Sequence, residues 1–345
     1  MRRARLGIVF GLMACVATVA TGQPPAKPAA GQPAPTPAQP APAATDKQAF
    51  VTKFEKDKSF YQKLTTKVEQ TLKVQGGGAD VPLKHEQTYY FKWTPVSVDK
   101  DKVVAKQTIE GLKFKMDIAG QTVDFDSADP NPSGAAGNPG LTEFFKTLVG
   151  TEFTVTFGKN GAVEKVDGKE EVLKKLAGVN PQVEAILRQV MSDETLKEMA
   201  DPAAGITPPE PKGVNESWEK KGTLNLGAVG SYDRTFTYTY KGKDPEKKEL
   251  DRVEVKPTIS FKPAATPGGG LPFQIKSGKL DTKEVKQGVA LYNPKAGRVD
   301  SVRLNLILNG QLTVTVAGTD ATVDLVQDQK TELDSADASL LPKKQ

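Results

Sequence analysis

The chain has 345 residues, enough to bury one large core or two, with 47 basic and 42 acidic side chains and a formal net charge of +5. Arg2, Arg3 and Arg5 supply three of those charges at the extreme N-terminus, and the remaining lysines alternate with acids, so the basic face that a nucleic-acid partner requires is missing. A single His85 and a single Cys15 argue against a His/Cys metal site, a thiol nucleophile and an internal disulfide.

Residues 1–22 read as an export signal: a basic start, an apolar run from Leu6 to Ala20, then small residues. The run is too short for a good membrane-spanning helix, and no later stretch reaches the required ~20 apolar residues. Two processing readings stand side by side. Ala20-Thr21-Gly22 predicts cleavage before Gln23, whereas Leu12-Met13-Ala14-Cys15 resembles a lipobox that would make Cys15 a lipidated anchor. Residues 23–45 are almost wholly Pro, Ala, Gln, Gly and Thr. Such a composition cannot bury enough apolar surface to offset its ordering entropy, so a disordered, semi-rigid tether is expected.

Residues 46–345 are expected to form a single β-rich domain, beginning with a strand block over 60–127. Phe60, Leu64, Val68 and Leu72 recur every four residues, which fits a helix. Thr65, Thr66, Val68, Thr71 and Val74 are β-formers, however, and decide for a long strand. Tyr89, Phe91 and Trp93 share one face of the next strand. Phe114, Met116 and Ile118 alternate with Lys113, Lys115 and Asp117, the pattern of an antiparallel strand with one wet face.

A helical centre over 141–200 follows. Phe144, Phe145 and Leu148 line a first helix, and Phe153, Val155 and Phe157 alternate along a strand. A turn at Gly158–Gly161 leads on, and Asp167 starts a second helix. Asn180-Pro181 opens a longer one, in which Val183, Ile186, Leu187 and Val190 form an i, i+3, i+4, i+7 stripe that should face Phe153, Val155 and Phe157. Strands return over 223–333. Asn309-Gly310 is the pair most typical of hairpins, and a three-residue loop there pairs Leu308 with Leu312 and Leu306 with Val314.

Three stretches, EKDKSFYQKLTTKVEQTLKV, SVDKDKVVAKQTIEGLKFKM and VDFDS, begin a pattern that runs on through FKTLVGTEFTVTFGKNGAVEKVDG, KGVNESW and LYNPKAGRVDS. This pattern resembles the exported bacterial proteins catalogued as domain of unknown function six-two-six-three, across roughly Lys56 to Leu333. The resemblance implies a secreted β-rich protein and carries no activity, so no catalytic residue transfers. The Pro/Gly-rich stretch around Lys262–Pro272 departs from the pattern and reads as a lengthened loop.

Chemistry is sparse. Asp124, Asp126 and Asp129 tempt a calcium reading, yet Ala128 and Ala135 stand where an EF-hand loop needs ligands. Gly76–Gly78 and Gly268–Gly270 lack the Lys-Ser or Lys-Thr of a phosphate loop. Trp93 and Trp218 read either as a ligand platform or as core plugs. The expected fold is α+β: a large twisted antiparallel sheet of about ten strands curved around a central helical cluster, by analogy like the half-barrel of lipoprotein carriers. The leading function is a non-enzymatic, exported, periplasmic or envelope protein holding an apolar ligand or a partner between sheet and helices. The proposed lining is Phe114, Met116, Ile118, Leu187, Val190 and Met191. No catalytic residue, metal or cofactor is implied. The alternatives are a purely structural surface protein and a hydrolase with unidentified carboxylates.

Overall fold

The computed structural model describes residues 47–76, 80–118, 121–129, 139–158, 161–177, 193, 196–197, 200–201, 203, 205–264, 273–316 and 318–342. The strands are β1 (Phe60–Val74), β2 (Val81–Val98), β3 (Lys102–Ile118), β4 (Gln121–Asp126), β5 (Glu152–Gly158), β6 (Val163–Asp167), β7 (Ser217–Asn225), β8 (Gly230–Lys243), β9 (Asp251–Pro263), β10 (Phe273–Asn293), β11 (Arg298–Val316) and β12 (Thr319–Ala336). Among the described residues two short helices, α1 (Pro139–Leu148) and α2 (Lys169–Ala177), interrupt them. All twelve strands belong to one sheet, in the order β6-β5-β3-β2-β1-β12-β11-β10-β9-β8-β7, with β4 attached to β3. Two antiparallel meanders therefore meet where β1 pairs β12, Leu64 opposite Leu333 and Leu72 opposite Leu325.

Alternation decides the faces. On β1 the even positions Phe60, Leu64, Val68 and Leu72 are buried. The odd ones carry lysines and acids that pair across strands on the wet side, Lys67 with Glu86 at 3.1 Å and Lys84 with Glu69 at 3.8 Å. Such exposed pairs contribute little. Stability comes from the inner face, where one buried cluster joins Val68, Leu72, Val81 and Leu83 of the first wing to Leu224, Tyr232, Phe261, Leu312 and Val314 of the second.

The α+β expectation is overturned: the protein is nearly all-β, with twelve strands instead of about ten and no central helical cluster among the described residues. The helices that are described lie over the first wing. The Phe145 ring of α1 is 4.6 Å from Phe114 and 5.2 Å from Phe125, and Val172 of α2 packs with Phe153. The two wings and an N-terminal strap supply the apolar cover that a helical layer would otherwise have to provide. Phe153, Val155 and Phe157 do face inward, but their predicted partners Val183, Ile186, Leu187 and Val190 lie outside the described residues, as do the leader and tether.

The predicted hairpin at Asn309-Gly310 is absent. β11 runs straight through it, with Gly310 opposite Leu325 on one side and Leu280 on the other. The glycine serves close approach instead of a turn, because a Cβ there would stand 1.8 Å from the Lys279 carbonyl oxygen.

The strap, residues 47–58, crosses one end of the sheet from wing to wing. Gln48 and Lys212 exchange two 2.9 Å backbone hydrogen bonds, the Lys53 N–H donates to the Gly297 carbonyl, and the Asp57 N–H donates to Pro95. Phe50 sits among Trp218, Tyr240 and Tyr292 at 5.6, 5.3 and 5.1 Å, and Phe54 lies 4.9 Å from Phe157. One end is thus stoppered by aromatics and the other by aliphatic side chains.

Candidate ligand site on the inner face

Between those ends the inner face changes character. The strand registers place residues in transverse rows. One row reads Thr331, Thr66, Gln87 and Phe114; the next reads Gln329, Val68, His85 and Met116; the third reads Gln327, Gln70 and Leu83. Thr66, Gln70, His85, Gln87, Gln327 and Gln329 are all buried, so a polar belt crosses an otherwise apolar surface. Buried amides must find partners. The Gln70 amide donates to Gln327 Oε1 at 3.0 Å, and the Gln327 amide donates to Gln329 Oε1 at 2.9 Å. The Thr66 hydroxyl and Gln70 Oε1 keep no hydrogen-bond partner among the described residues. Burial against Phe114, whose ring centre is 5.0 Å away, pulls the His85 imidazole down to about 4 and keeps it neutral.

The second wing continues the belt with charge. Lys220 of β7 shares the inner parity of Trp218 and Leu224, and Arg234 of β8 lies between Tyr232 and Phe236. Asp201 faces Lys220 and accepts the N–H groups of Ala203 and Gly205, each at 2.9 Å. Burial raises the Asp201 carboxyl, with Lys220 and the two N–H groups pulling the other way. Burial likewise lowers the Lys220 ammonium against the attraction of Asp201. Both side chains are partly buried. Tyr238 is raised by burial and by Asp201, which places it in the same neighbourhood.

Four apolar side chains near the middle of the inner face, Tyr89, Phe91, Met116 and Leu304, are only half-buried, although the clusters on either side are sealed. Leu304 touches both the Leu72–Leu312 cluster and a second cluster around Trp218, Tyr238 and Val255; Phe91 lies between that second cluster and one of Phe60, Trp93 and Phe157; and Met116 lies between the first cluster and one of Phe114, Phe125 and Phe145. The clusters toward the two ends of the inner face are buried, and these four side chains between them keep partial exposure.

Of the predicted lining, Phe114 and Met116 lie on the inner face of β3, Phe114 against α1 and Met116 at the edge of the opening. Ile118 ends β3 opposite Leu83, and only its backbone is described. Leu187, Val190, Met191 and Cys15 lie outside the described residues. Asp124 and Asp126 pair with Lys115 and Lys113 across β3, and no cluster of metal-ligating residues occurs among the described residues. Both tryptophans are buried, so the platform reading gives way to the plug; the Trp93 indole N–H donates to Gln62 Oε1 at 2.9 Å. The reading of the sequence missed the belt, Lys220 and Arg234. The signal was there: a cation at every-other-residue spacing among aromatics that all face inward.

The family model described as "Family of unknown function (DUF6263)" matches residues 100–275. No curated protein matches the chain. Among solved structures, one described as lipid–protein interactions in lipovitellin aligns at 8% identity and a TM-score of 0.42, covering 84% of this chain and 26% of that one. The COG4313 outer membrane channel of Pseudomonas putida F1 aligns at 6% identity and a TM-score of 0.24, covering 86% and 100%. OccK5 (OpdH) of Pseudomonas aeruginosa aligns at 8% and 0.18, covering 84% and 100%. At those scores none of the three carries an argument about function. No described helix is long and apolar enough to cross a membrane.

Proposed function

We propose, for a chain that belongs to the family of unknown function DUF6263 and takes no activity from that membership, that the inner face holds one apolar ligand bearing a polar group. The observation that carries this reading is the partial exposure of four apolar side chains at the middle of the inner face. Tyr89, Phe91, Met116 and Leu304 keep accessible surface where a protein with nothing to bind would close. Ligand sites are concave, mostly apolar and furnished with a few convergent polar groups, and here the belt and the Asp201–Lys220 pair supply those groups. Each buried methylene adds about 0.8 kcal/mol, so a chain of ten to twelve carbons supplies about 8–10 kcal/mol of gross stabilisation, from which the costs of association are drawn and to which contacts with the polar groups add. The protein is then a binding protein, and the leader and tether favour an envelope location. N-terminal analysis checks that location: a start at Gln23 supports simple export, and an acylated Cys15 supports a lipid anchor.

The test is mass spectrometry of a lipid extract from protein purified under native conditions. An acyl-chain molecule should appear in near-equimolar amount from the wild type and fall at least tenfold in Leu304→Trp, where the indole fills the opening. Equal amounts from both proteins, or none from either, overturn the reading.

A further inference from the structure

β9 and β10 are neighbours that separate in the middle. Leu280 pairs Phe261 and Asp281 pairs Ser260; pairing resumes only at Val289 with Glu254. The sequence explains the split. The Ile259 N–H donates to the Thr282 hydroxyl at 2.8 Å, which shows that odd-numbered residues of β9 turn their backbone groups toward β10. Pro257 therefore occupies a position whose N–H would bond β10, and it has none to give. β10 answers with register shifts against β11 between Thr282 and Glu284 and again between Val285 and Gln287. At the far side of the split Gly288 lets the strands touch again, since a Cβ there would lie 1.8 Å from the Val255 carbonyl oxygen.

The split opens a cavity of about 750 Å³, within the range of small-molecule sites. Its floor includes Val255, Pro257 and Val285, of which Val255 belongs to the buried cluster beneath the inner face. Its mouth carries Lys241, Arg252, Lys256, Lys283 and Lys286 against two carboxylates, Glu254 and Glu284. Asp244 holds Arg252 at 2.8 Å and Asp328 holds Lys286 at 2.7 Å. Lys241 and Lys256 share Glu254, and Lys283 stands exposed with no ion-pair partner among the described residues. With Asp244 and Asp328 counted, five cations face four acids, so the mouth keeps one net positive charge, centred on Lys283, over an apolar floor in the wall of the proposed binding space.

We infer that the gap between β9 and β10 is the lateral port through which an anionic amphiphile, an acyl chain ending in a carboxylate or phosphate, reaches the inner face. This rests on the binding reading above. A port differs from a seat in its kinetics: obstructing it slows binding and release together and leaves the equilibrium unchanged. Electrostatic steering at the mouth acts on the charged molecule alone and fades with salt.

The experiment is stopped-flow fluorescence with 11-(dansylamino)undecanoic acid and its methyl ester, using the full chain and two variants. Val285→Trp obstructs the gap and should slow association and dissociation of both probes at least about fivefold, with Kd within a factor of two. The exposed double change Lys256→Glu/Lys283→Glu leaves the core untouched. It should slow the carboxylate about tenfold at low salt and spare the ester, and about 0.5 M salt should remove the difference. Wild-type rates in both variants, or a weakened Kd with unchanged association, overturn the port while leaving the binding reading standing. Failure of either probe to bind the wild type overturns both.

Discussion

Replacing His85 by glutamine should abolish a specific loss of stability in acid. His85 is 2% exposed, and burial lowers it from an ordinary value of 6.5 to about 4. Above pH 6.5 the imidazole is neutral in folded and unfolded chains alike and contributes nothing to pH dependence. Between 6.5 and 4 the unfolded chain takes up a proton that the folded chain refuses, so stability falls with pH by about 1.4 kcal/mol per unit. Over that window the loss is about 3 kcal/mol, a large share of the 5–15 kcal/mol typical of a domain. The chain has no other histidine to confuse the assignment. The lowered carboxyls, such as Asp324 held by Gln311 and Asp320 held by Lys276, lose their contribution only as pH drops below the ordinary carboxylate value. Asp201, raised by burial, works in the opposite direction, favouring the fold as it protonates. The measurement is therefore a difference: urea unfolding of wild type and His85→Gln from pH 7.5 to 4.0. The gap between the two curves should change by about 3 kcal/mol in favour of the variant on acidification. Parallel curves would falsify the account of a buried neutral histidine in the belt.

Phe157→Ala removes a ring with no exposed surface, 4.9 Å from Phe54, and should cost about 3–5 kcal/mol in denaturant unfolding; a loss under 1 kcal/mol would place that ring outside the core. Gly310→Ala drives a methyl group against the Lys279 carbonyl and should cost about 2 kcal/mol or more in denaturant unfolding; a loss under about 1 kcal/mol would show that β10 and β11 do not approach so closely there. Phe50→Ala should loosen the strap at Trp218, Tyr240 and Tyr292, read as faster amide exchange at Val51 and Lys53 with the β1–β12 centre still protected.

The strands were legible because their alternation is clean. Val, Thr and Leu on β1 outvoted a four-residue repeat, and the face of Phe153, Val155 and Phe157 followed from the same rule. Asn309-Gly310 misled because turn propensity was set above pattern. Leu304, Leu306, Leu308, Leu312 and Val314 keep one parity through Gly310, which a three-residue loop also satisfies by returning the strand in register. What separates the two is tertiary: β10 and β12 flank both halves of β11, and no local signal reports that. The helical centre was overweighted for a related reason. Periodicity marks short helices but does not say that a sheet this long covers itself. β10 is legible as a strand over Gly278–Leu291 but its bulges are not, since Lys279, Asp281, Lys283, Glu284, Lys286 and Gln287 crowd its middle and blur the alternation.

The claim at the centre of the account is that the inner face encloses room for a ligand. Isothermal titration of the purified chain with 11-(dansylamino)undecanoic acid at several temperatures tests it most directly. The account predicts one saturable site of micromolar Kd, a negative heat-capacity change from apolar burial, and loss of both in a Leu304→Trp protein that still melts cooperatively. Heats that never saturate, or binding that Leu304→Trp leaves intact, would contradict it.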